Sequence, residues 1–197
     1  MTRPYLRGAV MEAVEAIDHI GWKWWKMQEP NLKQAQIEII DIWHFALSHY
    51  LTDTTHYDKT RIIYDELESC KRDQLAEGFK SIIEKLETFA SLCAIKMFNL
   101  RLFLGIMEDL EISQQGLFNM YVAKNVLNEF RQKNGYKSGD YVKIWNGRED
   151  NEHLEEFMGV VDSSDENYIE TLRYMLTERY KSVVKDVDEC YLNRGKS

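Results

Sequence analysis

The sequence predicts an all-α fold. Only two prolines and ten glycines interrupt its 197 residues, so long helices can form. Apolar residues recur at the three- and four-residue spacing of amphipathic helices, and no convincing pair of strands is present. A chain of this length buries enough apolar surface to form a core without a disulfide or a structural metal. We therefore expect a single domain over residues 1–197.

Two antiparallel helices are predicted at the N-terminus. The first covers residues 5–26, where apolar side chains from Leu6 to Trp24 share one face. The break at 27–30 contains Pro30, and Asn31 can cap a second helix that runs to about Leu51. Because the connection is so short, the two helices must lie antiparallel.

Residues 51–113 form a less distinctive helical insertion, with a polar connection at 53–59 and helical periodicity at 60–97 and 100–110. Ser113 can cap a helix over 114–133, which Gly135 ends in a left-handed conformation. A loop rich in Gly, Tyr and Lys follows at 135–147. Ser163 and Glu166 predict a capping box before a last helix through Tyr180.

The charge balance limits the partners. The chain has 25 basic and 33 acidic residues, a net charge of −8, which disfavours nucleic-acid polymers and anionic membranes as main partners. No apolar run approaches the ~20 residues that a membrane helix needs. Cys70, Cys93 and Cys190 are widely spaced and match no disulfide or zinc pattern, so we expect free thiols and a cytoplasmic location.

Two pairs of acidic residues lie at helical spacing. Glu12 and Glu15 are three residues apart in the first helix, as are Glu38 and Asp41 in the second. The second helix is apolar on all sides and has no Lys or Arg over 34–51, so its two carboxylates are expected to be buried. Counted back from Lys26, Glu15 lies about 16 Å along its helix, and counted on from Asn31, Asp41 lies about 15 Å along the other, so these two residues are expected at about the same level.

Four carboxylates that converge between two helices repel one another unless a divalent cation binds them. Oxygen-only ligation suits Mg²⁺, with Mn²⁺ as a substitute, and does not suit zinc. We therefore predict a polynuclear Mg²⁺ site. The alternative is that the ExxE and ExxD pairs are ordinary solvated helix faces.

One stretch reverses the acidic balance. Six basic residues stand against two acidic ones between Lys124 and Arg148. Lys124, Asn128 and Arg131 share a helix face, and the following glycines let the loop approach a ligand closely. Such a patch suits phosphate groups, although a solvated helix followed by a basic loop is the alternative. Together with a carboxylate site for Mg²⁺, it indicates an enzyme that acts on a nucleoside triphosphate.

Four segments resemble the dimeric all-α dUTPases, which belong to the all-α nucleoside triphosphate pyrophosphatases. The segments are EAVEAID with GWKWWK, IEIIDIWHF, KNVLNEFRQKNGYKSGDYVKIW and NGREDN, and they extend from Glu12 to Asn151. The resemblance implies a helical bundle that forms a homodimer and hydrolyses dUTP, and also dUDP, to dUMP.

The resemblance also implies residue roles. The Mg²⁺ ligands would be Glu12, Glu15, Glu38 and Asp41, with Glu12 also acting as the general base for the attacking water. The phosphate contacts would be Lys124, Asn128, Arg131, Tyr136, Lys143, Asp150 and Asn151. The residues beside the base would be Trp24 and either His44 or Phe45, although His44 would equally suit a core position on its aromatic-rich helix.

In one respect the sequence departs from the pattern of this family. Members of the family carry, ahead of the first acidic helix, another helix whose Gln and Asn read the uracil edge, and we expect that helix to be absent because Glu12 lies so near Met1. Three alternatives follow: a start further upstream, a changed base preference in a related pyrophosphatase, or an inactive nucleotide-binding dimer. Losing the donors that read a base relaxes specificity or weakens binding.

Overall fold

The computed structural model describes residues 4–52, 61, 64–65, 68 and 78–194, with the side chains of 184–194 excepted. Within this part of the chain there are seven helices and one short hairpin, which confirms the all-α prediction. Residue contacts divide the chain into two compact units, Met1–Leu117 and Phe118–Ser197. The single domain stays a prediction. None of the described helices is both long enough and apolar enough to cross a membrane.

The first unit contains the helices α1 (Tyr5–Ile20), α2 (Leu32–Thr52), α3 (Ile82–Ala94) and α4 (Leu100–Asp109). α1 packs against both α2 and α3, and α3 packs against α4. α1 can approach its neighbours closely because its buried face consists of small residues after Leu6, namely Ala9, Ala13 and Ala16. At Gly8 even a methyl group would lie 2.6 Å from the Phe45 ring.

The first helix ends at Ile20 and not at Lys26, so that prediction is wrong. Gly21 adopts a φ of 87°, and its N–H donates to the carbonyl of Ile17, which ends the helix in a left-handed conformation. The loop that follows leaves Trp24 89% exposed, so this residue does not continue the apolar face. The apolar residues keep their helical spacing beyond Gly21. The prediction followed that spacing, although the glycine ends the helix.

The start of α2 and the position of α4 agree with prediction. Asn31 accepts a hydrogen bond from the Gln34 N–H at 3.2 Å, as a capping residue of α2 does. The helix predicted at 100–110 corresponds to α4. Within the helix predicted at 60–97, residues 61, 64–65, 68 and Ile82–Ala94 are helical, whereas 78–81 and 95–97 are not, so the prediction of one helical stretch is wrong at those residues. The connection predicted at 53–59 lies outside the described residues, as does most of 60–77.

The second unit is built around α5 (Gln114–Lys133), which Ser113 caps through the Gly116 N–H at 3.0 Å, as predicted. It continues with the strands β1 (Ile144–Trp145) and β2 (Arg148–Glu149), then α6 (Asp150–Met158) and α7 (Tyr168–Arg194). Its core consists of apolar and aromatic residues from α5, β1, α6 and α7, including Leu127, Phe130, Trp145, Leu154, Phe157, Leu172 and Leu176.

The second unit differs from prediction in several features, one of which is the end of α7 at Arg194 rather than at Tyr180. The hairpin pairs Trp145 with Arg148, and its turn residues Asn146 and Gly147 both have positive φ, which is the Asn-Gly signal for a two-residue hairpin loop. α6 was not predicted. The capping box at Ser163 is wrong, because that hydroxyl accepts from the Asn119 amide and α7 begins later.

Candidate active site

The acidic cluster consists of Glu12 and Glu15 on α1 and Glu38 on α2. Each offers one carboxylate oxygen, and the three oxygens all lie within 4.8 Å of one another. Glu38 is only 6% exposed, whereas Glu12 is half-buried and Glu15 is exposed. The packing of α1 on α2 brings the ExxE pair to Glu38. The predicted match in level between Glu15 and Asp41 was counted from Lys26, and residues 21–26 lie beyond the end of α1.

This donor set fits a hard divalent cation. Three ionised carboxylates at such distances repel one another, and the burial of Glu38 strengthens the repulsion. Carboxylate oxygens alone suit Mg²⁺ or Mn²⁺ and do not suit zinc. Asp41, the fourth predicted ligand, is half-buried one helical turn after Glu38, but none of its oxygens belongs to the 4.8 Å group. Its role as a ligand stays a prediction.

His19 lies beside the acidic cluster. Its Nε2 atom is 3.6 Å from Oε1 of Glu38, and its side chain is about one third exposed, at 35%. Sequence analysis missed this residue. The signal was its position four residues after Glu15, on the same face of α1.

The loop after α1 carries a tryptophan cluster made of Trp22, Trp24 and Trp25. The Trp25 ring contacts both others edge to face, with ring centroids 5.1 Å from Trp22 and 5.5 Å from Trp24. All three are exposed, Trp24 most of all at 89%. An exposed indole can stack on a nucleobase, so the predicted role of Trp24 is compatible with its position.

His44 and Phe45 are both half-buried on α2. The Nε2 atom of His44 is inaccessible to solvent. Phe45 lies against α1 at Gly8, where only a glycine leaves room for its ring. Neither position decides between a role beside the base and a role in packing, so both assignments stay predictions.

The Arg131 cluster consists of Lys124, Asn128 and Arg131 on α5 with Asp150 and Asn151 at the start of α6. The Lys124 Nζ donates to Asn151 Oδ1 at 2.9 Å. The Arg131 Nε and Nη2 donate to the two oxygens of Asp150 at 2.8 and 2.7 Å, and Nη2 also donates to Asn151 Oδ1 at 3.1 Å. Asn128 Oδ1 accepts from Arg131 Nη1 at 3.3 Å.

The Arg131 cluster is buried, which excludes the alternative that its basic residues form a solvated helix face. Lys124 is 2% exposed, Arg131 9% and Asp150 0%. Two cations and one carboxylate leave the cluster with one net positive charge. A buried, net positive group of hydrogen-bond donors is suited to an anionic phosphate.

Asp150 stays ionised in this setting. Burial by itself raises the pKa of its carboxyl, but the hydrogen bonds and charge of Arg131 outweigh burial and hold the pKa below its usual range. The Tyr141 hydroxyl also donates to Asp150 Oδ2, at 2.7 Å. The pKa of Tyr141 is raised, first by burial and then by its bond to Asp150, so this phenol keeps its proton.

Two more predicted phosphate residues lie in the loop after α5. Tyr136 is 47% exposed, and the Arg131 guanidinium lies over its ring at 5.7 Å from the centroid. Lys143 is exposed and pairs with Glu149 at 2.8 Å. Burial alone lowers the pKa of Lys143, but the bond to Glu149 and its charge raise it overall. Both side chains are therefore partly open to solvent.

The comparisons with known proteins decide the family. A family model described as dUTPase matches residues 2–136. It is the model of the all-alpha dUTPase family. The chain belongs to the all-alpha dUTPase family. This enzyme is therefore a dUTP diphosphatase, a hydrolase that acts on dUTP. No curated protein matches its sequence.

The match covers only part of the predicted site of this dUTPase. It includes both acidic pairs, the tryptophan cluster and the α5 residues up to Tyr136. Lys143, Asp150 and Asn151 lie beyond it. The hydrogen bonds from Lys124 and Arg131 to Asp150 and Asn151 connect the matched and unmatched segments within the second unit.

Sequence analysis of this dUTPase missed one buried histidine. His153 is 0% exposed, and its Nε2 bonds the Trp145 carbonyl at 2.9 Å. Its Nδ1 faces N–H groups of Arg148 at 3.2 Å and Arg179 at 2.8 Å. Since a carbonyl only accepts and a guanidinium only donates, the proton must lie on Nε2. The network joins β1, β2, α6 and α7 and so supports the helix that carries Asp150.

Proposed function

We propose that this dUTPase hydrolyses dUTP, and also dUDP, to dUMP in a Mg²⁺-dependent reaction. The single observation that carries the metal requirement is the acidic cluster, in which oxygens of Glu12, Glu15 and Glu38 lie within 4.8 Å of one another. A set of carboxylates this close needs a cation, and the chemistry of its donors favours Mg²⁺, with Mn²⁺ as a substitute.

The acidic cluster and Asp41 would hold the metal. When bound, Mg²⁺ acidifies a coordinated water and neutralises charge on phosphate oxygens. Glu12 is half-buried, so its carboxylate can meet a water molecule and accept its proton as the general base. The water oxygen then attacks the α-phosphorus, and the bond to the bridging oxygen breaks, which yields dUMP.

Four residues of the Arg131 cluster would bind the phosphate chain together with two residues of the following loop, namely Lys124, Asn128, Arg131 and Asn151 with Tyr136 and Lys143. Lys124 and Arg131 supply charge, and Asn128 and Asn151 supply amide groups. As the bond to the bridging oxygen breaks, negative charge grows on the departing phosphate, and fixed cations stabilise it without rearranging. Trp24 and His44 would lie beside the base, and the exposed indole of Trp24 supports the first of these roles.

We also propose that the enzyme is a homodimer in a reducing cytoplasm. The dimer rests on family resemblance, and light scattering tests it. The compartment rests on Cys93, a buried thiol whose pKa burial raises to about 12, which is typical of an unreactive structural cysteine.

The experiment that tests the function measures products by anion-exchange chromatography. We expect dUMP and pyrophosphate from dUTP, dUMP and phosphate from dUDP, and no turnover after Mg²⁺ is chelated. Full activity in the presence of a chelator would contradict the metal requirement. Turnover of dUTP without turnover of dUDP would contradict only the second substrate.

A panel of other nucleoside triphosphates tests the base preference in the same assay. We expect dUTP to be preferred. A preference of about tenfold for a base other than uracil would contradict the uracil assignment, and it would leave the metal and phosphate assignments standing.

A further inference from the structure

Asp150 is the most completely enclosed charged residue of the Arg131 cluster. Its carboxylate is 0% exposed and accepts three hydrogen bonds, two from Arg131 and one from the Tyr141 hydroxyl. Its backbone N–H donates to the Lys143 carbonyl at 3.0 Å, so its place at the start of α6 is also held by the main chain.

A carboxylate in this position is a poor phosphate ligand. It carries the same charge as a phosphate, and both of its oxygens already accept hydrogen bonds from protein donors. Sequence analysis grouped Asp150 with the phosphate contacts. The burial and partners of Asp150 support a different role, in which it acts through the residues it binds.

The orientation of Arg131 depends on its acceptors. A guanidinium has five N–H hydrogens. In Arg131, four of them donate within the cluster: two to Asp150, one to Asn151 and one to Asn128. Two parallel bonds to one carboxylate fix the plane of the group. The same plane lies over the Tyr136 ring.

We propose that Asp150 is a positioning residue for the nucleotide phosphates: its carboxylate fixes the Arg131 guanidinium before the substrate binds, and it does not touch the substrate. This inference rests on the proposed phosphate role of Arg131. Groups held in place by a buried partner lose less freedom when a ligand arrives.

Exchange of Asp150 for Asn separates positioning from simple electrostatics. Asp150→Asn removes a negative charge, so electrostatics alone would strengthen phosphate binding. It also replaces one acceptor oxygen by an amide that cannot accept from Arg131, so positioning predicts weaker binding. The two effects have opposite signs, and the direction of the change decides between them.

The probe is a non-hydrolysable α,β-imido analogue of dUTP, with deoxyuridine as the ligand that lacks phosphates. For Asp150→Asn we expect the Kd of the analogue to rise about tenfold and that of deoxyuridine to change by less than about twofold. An unchanged or lower Kd for the analogue would overturn the proposal. Equal losses for both ligands would also overturn it, since they would indicate a general structural defect.

A double variant shows whether Asp150 acts through Arg131. If it does, Asp150→Asn adds little to the loss already caused by Arg131→Lys, and additive losses would reject the mechanism. If Arg131→Lys itself leaves analogue binding unchanged, the proposed phosphate role of Arg131 fails. If Arg131→Lys weakens binding and Asp150→Asn does not, only the positioning role fails.

Two further variants complete the test, one as a matched control and one as a substitute if Asp150→Asn does not fold. Glu129→Gln makes the same chemical exchange at a carboxylate that pairs with Arg173 on α7, outside the cluster, and we expect wild-type binding. If Asp150→Asn does not fold, Tyr141→Phe removes one of the three bonds to the carboxylate and leaves its charge in place. We expect a smaller loss of analogue binding in that variant, and no loss would contradict the proposal.

Discussion

Lys124 and Asn151 join α5 to α6 through a hydrogen bond of 2.9 Å between two buried side chains. The same Asn151 oxygen accepts from Arg131 at 3.1 Å, so one amide oxygen serves two cations. A lysine kept 2% exposed costs solvation free energy, and its retention is understandable if the charge serves binding or catalysis.

Lys124→Met should therefore lower activity without lowering stability. Methionine fills a similar volume without a charge, and Asn151 keeps its bond from Arg131. We expect kcat/KM for dUTP to fall by about 10²-fold, and the free energy of unfolding to stay constant or rise by about 1 kcal/mol. Steady-state kinetics and urea unfolding measure the two quantities. The control is Lys133→Met, which changes an exposed lysine on the same helix and should leave activity unchanged. Normal activity in Lys124→Met would refute the proposed phosphate role of Lys124.

Glu38→Gln should weaken metal binding and relieve repulsion in the metal-free protein. Its oxygen lies within 4.8 Å of those of Glu12 and Glu15, so removing its charge removes two unfavourable interactions. In thermal unfolding, we expect the metal-free Tm to stay equal or rise and the increase caused by Mg²⁺ to disappear. Glu87→Gln, at an exposed position of α3, should keep the wild-type response. A full Mg²⁺ response in Glu38→Gln would exclude this carboxylate as a ligand.

The depressed pKa of Asp150 makes stability depend on pH in acid. The folded-state pKa lies below the ordinary value of 3.8, so the contribution of Asp150 is complete above about pH 4 and is lost as the pH falls through the folded-state value. The free energy of unfolding, measured in urea from pH 3 to 7, should fall less steeply in acid for Asp150→Asn than for the wild type.

The comparison variant for this pH series is Glu156→Gln. The pKa of Glu156 is also lowered, by hydrogen bonds from Arg148 and Arg179, but its side chain is exposed, so salt screens the effect. We expect a small change that added salt removes. Identical acid profiles for the wild type and Asp150→Asn would show that the buried pair does not contribute.

His153→Phe should destabilise the second unit. The ring stacks on Trp145, and phenylalanine preserves that contact but leaves a carbonyl and two guanidinium groups without their shared partner. We expect a loss of about 2–4 kcal/mol in the free energy of unfolding. In the wild type, ¹⁵N NMR should find the imidazole proton on Nε2. A proton on Nδ1 would contradict the assigned network.

Short-range signals predicted several boundaries because the residues involved act on their own neighbours. Asn31 caps α2 and Ser113 caps α5 through bonds to backbone groups three residues away. Gly21 and the Asn146-Gly147 turn are equally local signals. The prediction missed the first because the hydrophobic periodicity continues past Gly21, and it missed the second because an all-α fold was expected. Ser163 failed as a cap because the Asn119 amide, 44 residues away in sequence, binds its hydroxyl instead.

The sequence alone determined the helical class, the two acidic pairs and the basic face of α5, since spacing along a helix specifies which side chains share a side. Only the tertiary structure decided which of them meet. It placed Glu38 against Glu12 and Glu15, left Asp41 outside that group, and buried Lys124 and Arg131 against Asp150 and Asn151. Burial and partnership depend on how helices pack across long sequence separations, and no periodicity within one helix encodes that packing.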